Sequence, residues 1–277
     1  LKKMRNRGRI HSTWELPQVR VRNGPPERVG REESMTKKPG NPEEIFPEFR
    51  EDFQTLFGDE LVAIILYGSG AAGRYVPGRS DINFLIILTE AGMERIDRAV
   101  GAVKRWRKRG VATPLFMTPS YVPESLDVYP IEFLNMKREH VLVCGQDVLK
   151  DLTFEPAHLR LQIERELKGK ILHLRTGFLE AEGEARKLRE LIRVSLVAFL
   201  SLFTALLYLK GGAVPSDRRE IVRKVSRILP VDEAVFLRCL DIREGTDGLS
   251  SAGVKEAFQA YMREIERLSG RIDRAAL

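Results

Sequence analysis

Residues 61–88, LVAIILYGSGAAGRYVPGRSDINFLIIL, constrain this chain more than any other stretch. Two short apolar runs, 61–67 and 82–88, are rich in Ile and Leu and bounded by Gly, Pro and Ser, the pattern of buried strands. The loop between them is rich in Gly and closes on Ser80-Asp81-Ile82-Asn83. Gly68 permits a tight turn off the first strand, and Ser69 is placed to cap a short helix whose free N–H groups suit an anion such as a triphosphate. Asp81 then stands at the mouth of the second strand. Asn83, two positions on, points to the same face because side chains alternate along a strand.

A chain of 277 residues has room for two domains with separate cores, and 43% hydrophobic with 31% charged residues is the composition of a globular protein. The net charge of +7 hints at a polyanionic partner, but its distribution removes most of the hint. Residues 1–38 hold eleven Lys or Arg and four Glu, so this segment carries the whole +7 and the remainder is neutral. Residues 1–40 read as a disordered basic tail, with Met35 an internal start. Nucleic-acid binding through that tail is the one nucleic-acid reading retained. Cys144 and Cys239 lie far apart in no metal-binding spacing, and read as buried thiols of a reducing cytoplasm. His11, His140, His158 and His173 form no ligand motif.

Asn41, Pro42, Glu43 and Glu44 signal a helix start, with Asn41 as cap and the helix running to Phe57 before Gly58. After the two strands, residues 90–110 read as one amphipathic helix with Ile96, Val100, Val103 and Trp106 inward and cations crowding its last turns. Residues 111–117 form a third expected strand. Residues 128–136 form a fourth, at an edge or starting late because of Pro130. Glu132 within it lies between Ile131 and Phe133. If buried it needs a metal or a cation nearby, and the alternative is a solvent-facing acid on an alternating edge strand. A short strand over 140–145 closes this first domain, residues 41–152.

From residue 153 onward helical periodicity takes over, predicting helices over 158–179, 184–210, 217–229, 232–243 and 251–274 in an antiparallel bundle. Residues 194–209 are an uncharged run of sixteen, shorter than the roughly twenty a bilayer needs, and read as a central bundle helix without membrane contact. Ser195, Ser201 and Thr204 can bond carbonyls one turn back.

The Gly68-Ser69 turn and the Asp81-x-Asn83 pair, set between two strands, resemble the active-site motif of the nucleotidyltransferase superfamily with the DNA polymerase beta fold. There the motif ends in Asp-x-Asp or Asp-x-Glu; here the second acid is replaced by the amide of Asn83. The resemblance implies an α+β nucleotidyltransferase domain with a mixed sheet, followed by an all-α bundle. The layout is similar to that of aminoglycoside nucleotidyltransferases and of fusions between the minimal nucleotidyltransferase and its HEPN-type helical partner. It further implies that Gly68, Ser69 and Ser80 hold a nucleoside triphosphate and that Asp81, Asn83 and Glu132 hold Mg²⁺. Asp81 and Glu132 would be catalytic, Glu132 as ligand or as base. Where the family often has a phosphate-binding Arg after Gly-Ser this chain has Gly70, Ala71 and Ala72; Arg74 or Arg79 would stand in for it, the alternative being a surface role for either. HEPN ribonucleases carry an Arg four to six residues before a His, and neither His158 nor His173 has one, so ribonuclease activity is not expected.

The expected function is Mg²⁺-dependent transfer of a nucleoside monophosphate to a hydroxyl of a small molecule or protein, the acceptor lying between sheet and bundle. The alternative is a degenerate member that binds nucleotide or a partner without catalysis, which Asn83 favours. A homodimer is among the expected assemblies.

Overall fold

The computed structural model describes residues 38–229 and 231–274; the basic tail up to residue 37 lies outside the described residues. The described residues fall into two compact units that divide between His158 and Leu159.

The first unit begins with the cap that the sequence signals. The Asn41 carboxamide accepts from the Glu43 N–H at 3.2 Å and the Glu44 carboxylate accepts from the Asn41 N–H at 3.0 Å, two otherwise orphaned donors satisfied together. A 3-10 turn, Pro42–Ile45, leads into α1 (Phe46–Phe57), which places Phe49, Phe53 and Phe57 on one buried face. Gly58, at φ 55°, ends it.

Four strands follow: β1 (Leu61–Tyr67), β2 (Asn83–Leu88), β3 (Leu115–Met117) and β4 (His140–Gly145), in the sheet order β3-β2-β1-β4. β1 is antiparallel to both β2 and β4, whereas β3 runs parallel to β2, so the sheet is mixed as expected. β3 is shorter than its apolar run: Val111 makes only an isolated bridge to Ile82, and the ladder starts after Pro114, which has no N–H to give it. On one face Ile64, Leu66, Phe84 and Ile86 belong to a core with the α1 phenylalanines and Trp106. Phe49 is its centre, stacked on Phe84 at 4.0 Å between centroids and edge-on to Trp106 at 5.1 Å. Trp106 Nε1 donates to Asp52 Oδ2 at 2.8 Å, so the indole is buried with its polar group satisfied. Ile65, Leu85 and Ile87, on the other face, are fully buried as well.

Two longer elements of this unit also depart from expectation. Residues 90–110 are three pieces, α2 (Glu90–Met93), a 3-10 turn Ile96–Ala99 and α3 (Val100–Lys108). The buried face is Ala99, Ala102 and Trp106, while Ile96 and Val100 are 40% and 67% exposed. Ala99 and Ala102 join the core shared with α1, where Trp106 reaches Phe49, so within the expected stripe Ile96 and Val100 did not mark the buried face. The second failure is the fourth strand: after the short α4 (Tyr121–Glu124), residues Pro130–Arg138 form helix α5. Pro130 opens it at the position where a missing N–H is harmless, Glu132 lies in its first turn, and Lys137 and Arg138 lie in its last. Ile131, Phe133, Leu134 and Met136 are all buried. A helix covered on most sides shows no clean period, and so its apolar run resembles a strand.

The second unit comprises α6 (Pro156–Glu180) from its fourth residue onward, α7 (Ala185–Leu209), α8 (Arg218–Ile228), α9 (Glu233–Glu244) and α10 (Ser251–Arg274). α7 is central, in contact with α8, α9 and α10. It is long and apolar enough to cross a bilayer by composition, and 61% of its apolar window is buried inside the protein. Tyr261 is fully buried, with rings of Phe199 and Phe236 edge-on to it and its hydroxyl 3.1 Å from Ser195 Oγ. Ser195 Oγ in turn donates to the Leu191 carbonyl at 2.7 Å, the back-bond expected of it. Asp217 and Asp232 cap α8 and α9, accepting from the Glu220 and Ala234 N–H groups at 2.9 Å each.

Truncating Phe49, which is fully buried at the junction of three aromatic rings, is expected to destabilise the fold by about 3–5 kcal/mol. Denaturant unfolding of Phe49→Ala should show that loss as a lowered midpoint with an unchanged slope. Gly145→Ala is expected to be similarly damaging, since Gly145 has φ 83° and an added Cβ would strike the Val62 carbonyl.

Candidate active site

β1 is hydrogen-bonded on both edges up to Tyr67, which stands across from Asn83 on β2 and His140 on β4. The chain must leave the sheet there. Gly68, at φ 75°, makes the turn that a side chain would strain, and an added Cβ would meet Asn83 Nδ2 at 3.5 Å. Beyond it the Ala72 N–H donates to the Gly68 carbonyl at 3.0 Å and the Arg74 N–H to the Ser69 carbonyl at 2.9 Å. The segment is thus a single turn and not the short helix expected after Ser69; Gly73, at φ 67°, ends it at once. The Ser69 hydroxyl takes no partner among the described residues.

The return to the sheet is a second turn. The Ser80 hydroxyl accepts from the Val76 N–H at 3.1 Å, and the Ser80 N–H donates to the Val76 carbonyl at 2.9 Å. One lone pair of Ser80 therefore serves the loop, while its proton is left to donate. Asp81 follows, exposed, with its carboxylate in no hydrogen bond or ion pair among the described residues. Asn83 is half-buried and its Nδ2 donates to the Asp81 carbonyl at 3.4 Å, which turns its oxygen the other way.

Tyr75 and Glu139, neither of them marked in the sequence, tie this loop to its neighbours. Tyr75 donates its hydroxyl to the Pro39 carbonyl at 3.3 Å, and its pKa is raised by burial and then by the charges of Asp81 and Glu44. Glu44, of the 3-10 turn Pro42–Ile45, and Asp81 thus both act on one phenol. Arg74 makes a two-point pair with Glu139, Nη1 to Oε1 at 3.2 Å and Nη2 to Oε2 at 2.5 Å, tying the loop to the end of α5. Arg138 is held below its ordinary pKa chiefly by burial; Glu139 opposes this and Arg74 adds to it. Arg79 is exposed on the loop. Burial pushes the Tyr67 phenol far above its ordinary value, so it stays protonated.

Glu132 is not a strand residue. It is the third residue of α5, 7% exposed, and makes interactions within the protein. No described strand carries an Asp or Glu, so the sheet itself offers no third carboxylate. Among the described residues no three His, Cys, Asp or Glu side chains converge as a metal site. What stands at the loop is one carboxylate and one amide oxygen. That set fits a single Mg²⁺ arriving with a triphosphate, since Mg²⁺ is commonly held by one or two carboxylates plus substrate phosphates. It does not fit a resident pair of metals.

No protein-family model and no curated protein matches the chain. Among solved structures it is similar to that of spectinomycin adenyltransferase AAD(9) from Enterococcus faecialis with ATP and spectinomycin. The likeness covers 79% of this chain and 99% of that chain at 13% identity, with a TM-score of 0.42.

On the β4 side of Tyr67, His140 joins three segments. Its Nδ1 donates towards the Met136 and Lys137 carbonyls at 3.1 and 3.0 Å, and its Nε2 lies 3.1 Å from Asp147 Oδ2. Burial alone would raise the Asp147 carboxyl, but bonds from His140 and the Leu149 and Lys150 N–H groups, with the charge of His140, bring it below its ordinary pKa. A folded-state pKa below the unfolded value stabilises the fold above the unfolded value, and that stabilisation is lost as pH falls through the folded value. Below about pH 4 the stability of the native protein is therefore expected to fall more steeply than that of Asp147→Asn. Denaturant midpoints measured across that range check this.

Proposed function

We propose that residues 68–83 bind the Mg²⁺ complex of a nucleoside triphosphate, and that the protein transfers the nucleoside monophosphate to a hydroxyl acceptor. The observation that carries this is the juxtaposition around the Gly68 turn of the Asn83 amide, an exposed Asp81 carboxylate and a Ser69 hydroxyl, the last two with no hydrogen-bond partner among the described residues. Ser69 and Ser80 hydroxyls would donate to phosphate oxygens, as would backbone N–H groups of the turn. Asp81 Oδ and the Asn83 side-chain oxygen would hold the metal, which supplies charge neutralisation at the phosphates. Arg74, held by Glu139, would keep the loop in place beside them. In the reaction the acceptor oxygen bonds the α-phosphorus, the bond to the pyrophosphate oxygen breaks, and the acceptor's proton leaves to solvent. Glu132 lies on a helix, which removes the strand argument for its role, and it is assigned no step. Acceptors of this class are small hydroxylated molecules or protein side chains.

A second reading, nucleotide binding without transfer, is favoured by the amide at Asn83 and by the lack of acids on the described strands. Calorimetric titration with Mg·ATP and the other triphosphates, together with a pyrophosphate-release assay, separates the two. Transfer predicts Mg²⁺-dependent binding and pyrophosphate release, both lost in Asp81→Ala; tight binding with no release over long incubation leaves the binding module. Asn83→Asp adds a second charge to the donor set and is expected to tighten Mg²⁺ binding by about tenfold or more. Nucleotide affinity indifferent to Mg²⁺ and to both substitutions would remove the site from this loop.

A further inference from the structure

α6 presents one face to solvent from end to end. Leu161, Arg165, Lys168, Leu172, Arg175 and Leu179 succeed one another at intervals of four and three residues, the period of a coiled-coil seam. The three leucines are 66%, 62% and 75% exposed. The side chains of Arg165, Lys168 and Arg175 are 58%, 58% and 55% exposed. Leu159, Ile163, Leu167 and Leu174 lie buried on the same helix, so α6 is apolar on two sides and the unit covers one of them. Leucines spaced along one seam are a different matter from single exposed apolar residues, which are ordinary.

The cations set the chemistry of what covers this face. Lys168 pairs with Asp273 and Arg175 with Glu266, each at 2.9 Å on the surface, and Arg165 lies 4.0 Å from Glu166. Exposed pairs of this kind are weak and exchange readily. Beside them, Arg263, Arg267 and Arg274 of α10 line a shallow hollow around Glu266, so the local excess is positive.

We propose that this face of α6 docks an acidic amphipathic helix of a partner protein. Apolar residues of that helix would pack on Leu161, Leu172 and Leu179, and its carboxylates would pair with Arg165, Lys168 and Arg175. A second copy of α6 does not suit the face: antiparallel pairing centred on Lys170 sets Arg165 against Arg175, and parallel pairing sets each cation against itself. A bilayer wants a broad apolar face with cations at its rim, whereas here the cations interrupt the seam itself. A nucleic-acid strand gains nothing from the leucines and finds no aromatic side chain on the seam for its bases.

The test uses the full chain and a fluorescein-labelled helical peptide with Leu at the a and d positions and Glu at e and g, read by anisotropy. Binding should weaken with salt, and Leu172→Gln should weaken it by about tenfold or more with helicity unchanged. Arg175→Glu should weaken it too, and should gain affinity for the same peptide with Lys in place of Glu. The proposal is overturned by absence of binding or by equal binding of Leu172→Gln. It is overturned equally if polyuridylate or anionic vesicles bind this face while the peptide does not, or if sedimentation shows a self-association that Leu172→Gln dissolves.

Discussion

The candidate site depends on the position of β1. This strand is hydrogen-bonded along both edges, antiparallel to β2 and to β4, and its apolar residues are buried on both faces. Such a strand has no freedom to drift, so the point where it ends is fixed. It ends at Tyr67, and the chain escapes through Gly68 in a conformation that a side chain would strain. The loop that follows is therefore delivered to one place, and β2 brings Asn83 back across from Tyr67. The stack of Phe49 on Phe84 secures the face that packs on α1, and Glu44 of the 3-10 turn before α1 acts with Asp81 on Tyr75.

The charge at that place is modest. A phosphate site assembled from a tight Gly turn and two serine hydroxyls requires little of the rest of the fold, whereas a metal site requires several carboxylates held against their mutual repulsion. Here no described strand holds an acid, and the Asn83 amide donates to the backbone carbonyl of Asp81, leaving the carboxylate to face the loop's neighbours such as Tyr75. On the proposed reading, the triphosphate would complete the coordination of any metal. Arg74 is anchored by Glu139 at the end of α5, so part of the positive charge near the loop is already compensated.

What was legible in the sequence is what local chemistry decides. Asn41, Pro42 and Glu44 announced a helix start because a cap is a matter of adjacent residues, and α10 runs over the span its periodicity implied, Ser251–Arg274. α5 was illegible because Ile131, Phe133, Leu134 and Met136 are all buried, which erases the period that separates a helix from a strand. The strand placement of Glu132 fell with that assignment, and with it the argument from a neighbouring strand. Arg74 and Glu139 lie 65 residues apart, and nothing near either of them announces the pair. The same limit applies to β3, where Pro114 shortens a run whose composition suits a longer strand.

The central claim is that nucleotide is bound by the loop between β1 and β2. Hydrogen exchange by mass spectrometry, with and without Mg·ATP, tests it most directly. Slowed exchange in peptides covering residues 68–83, with α8 to α10 unchanged, is the predicted result. Protection confined to the helical unit, or no protection at saturating nucleotide, would contradict it.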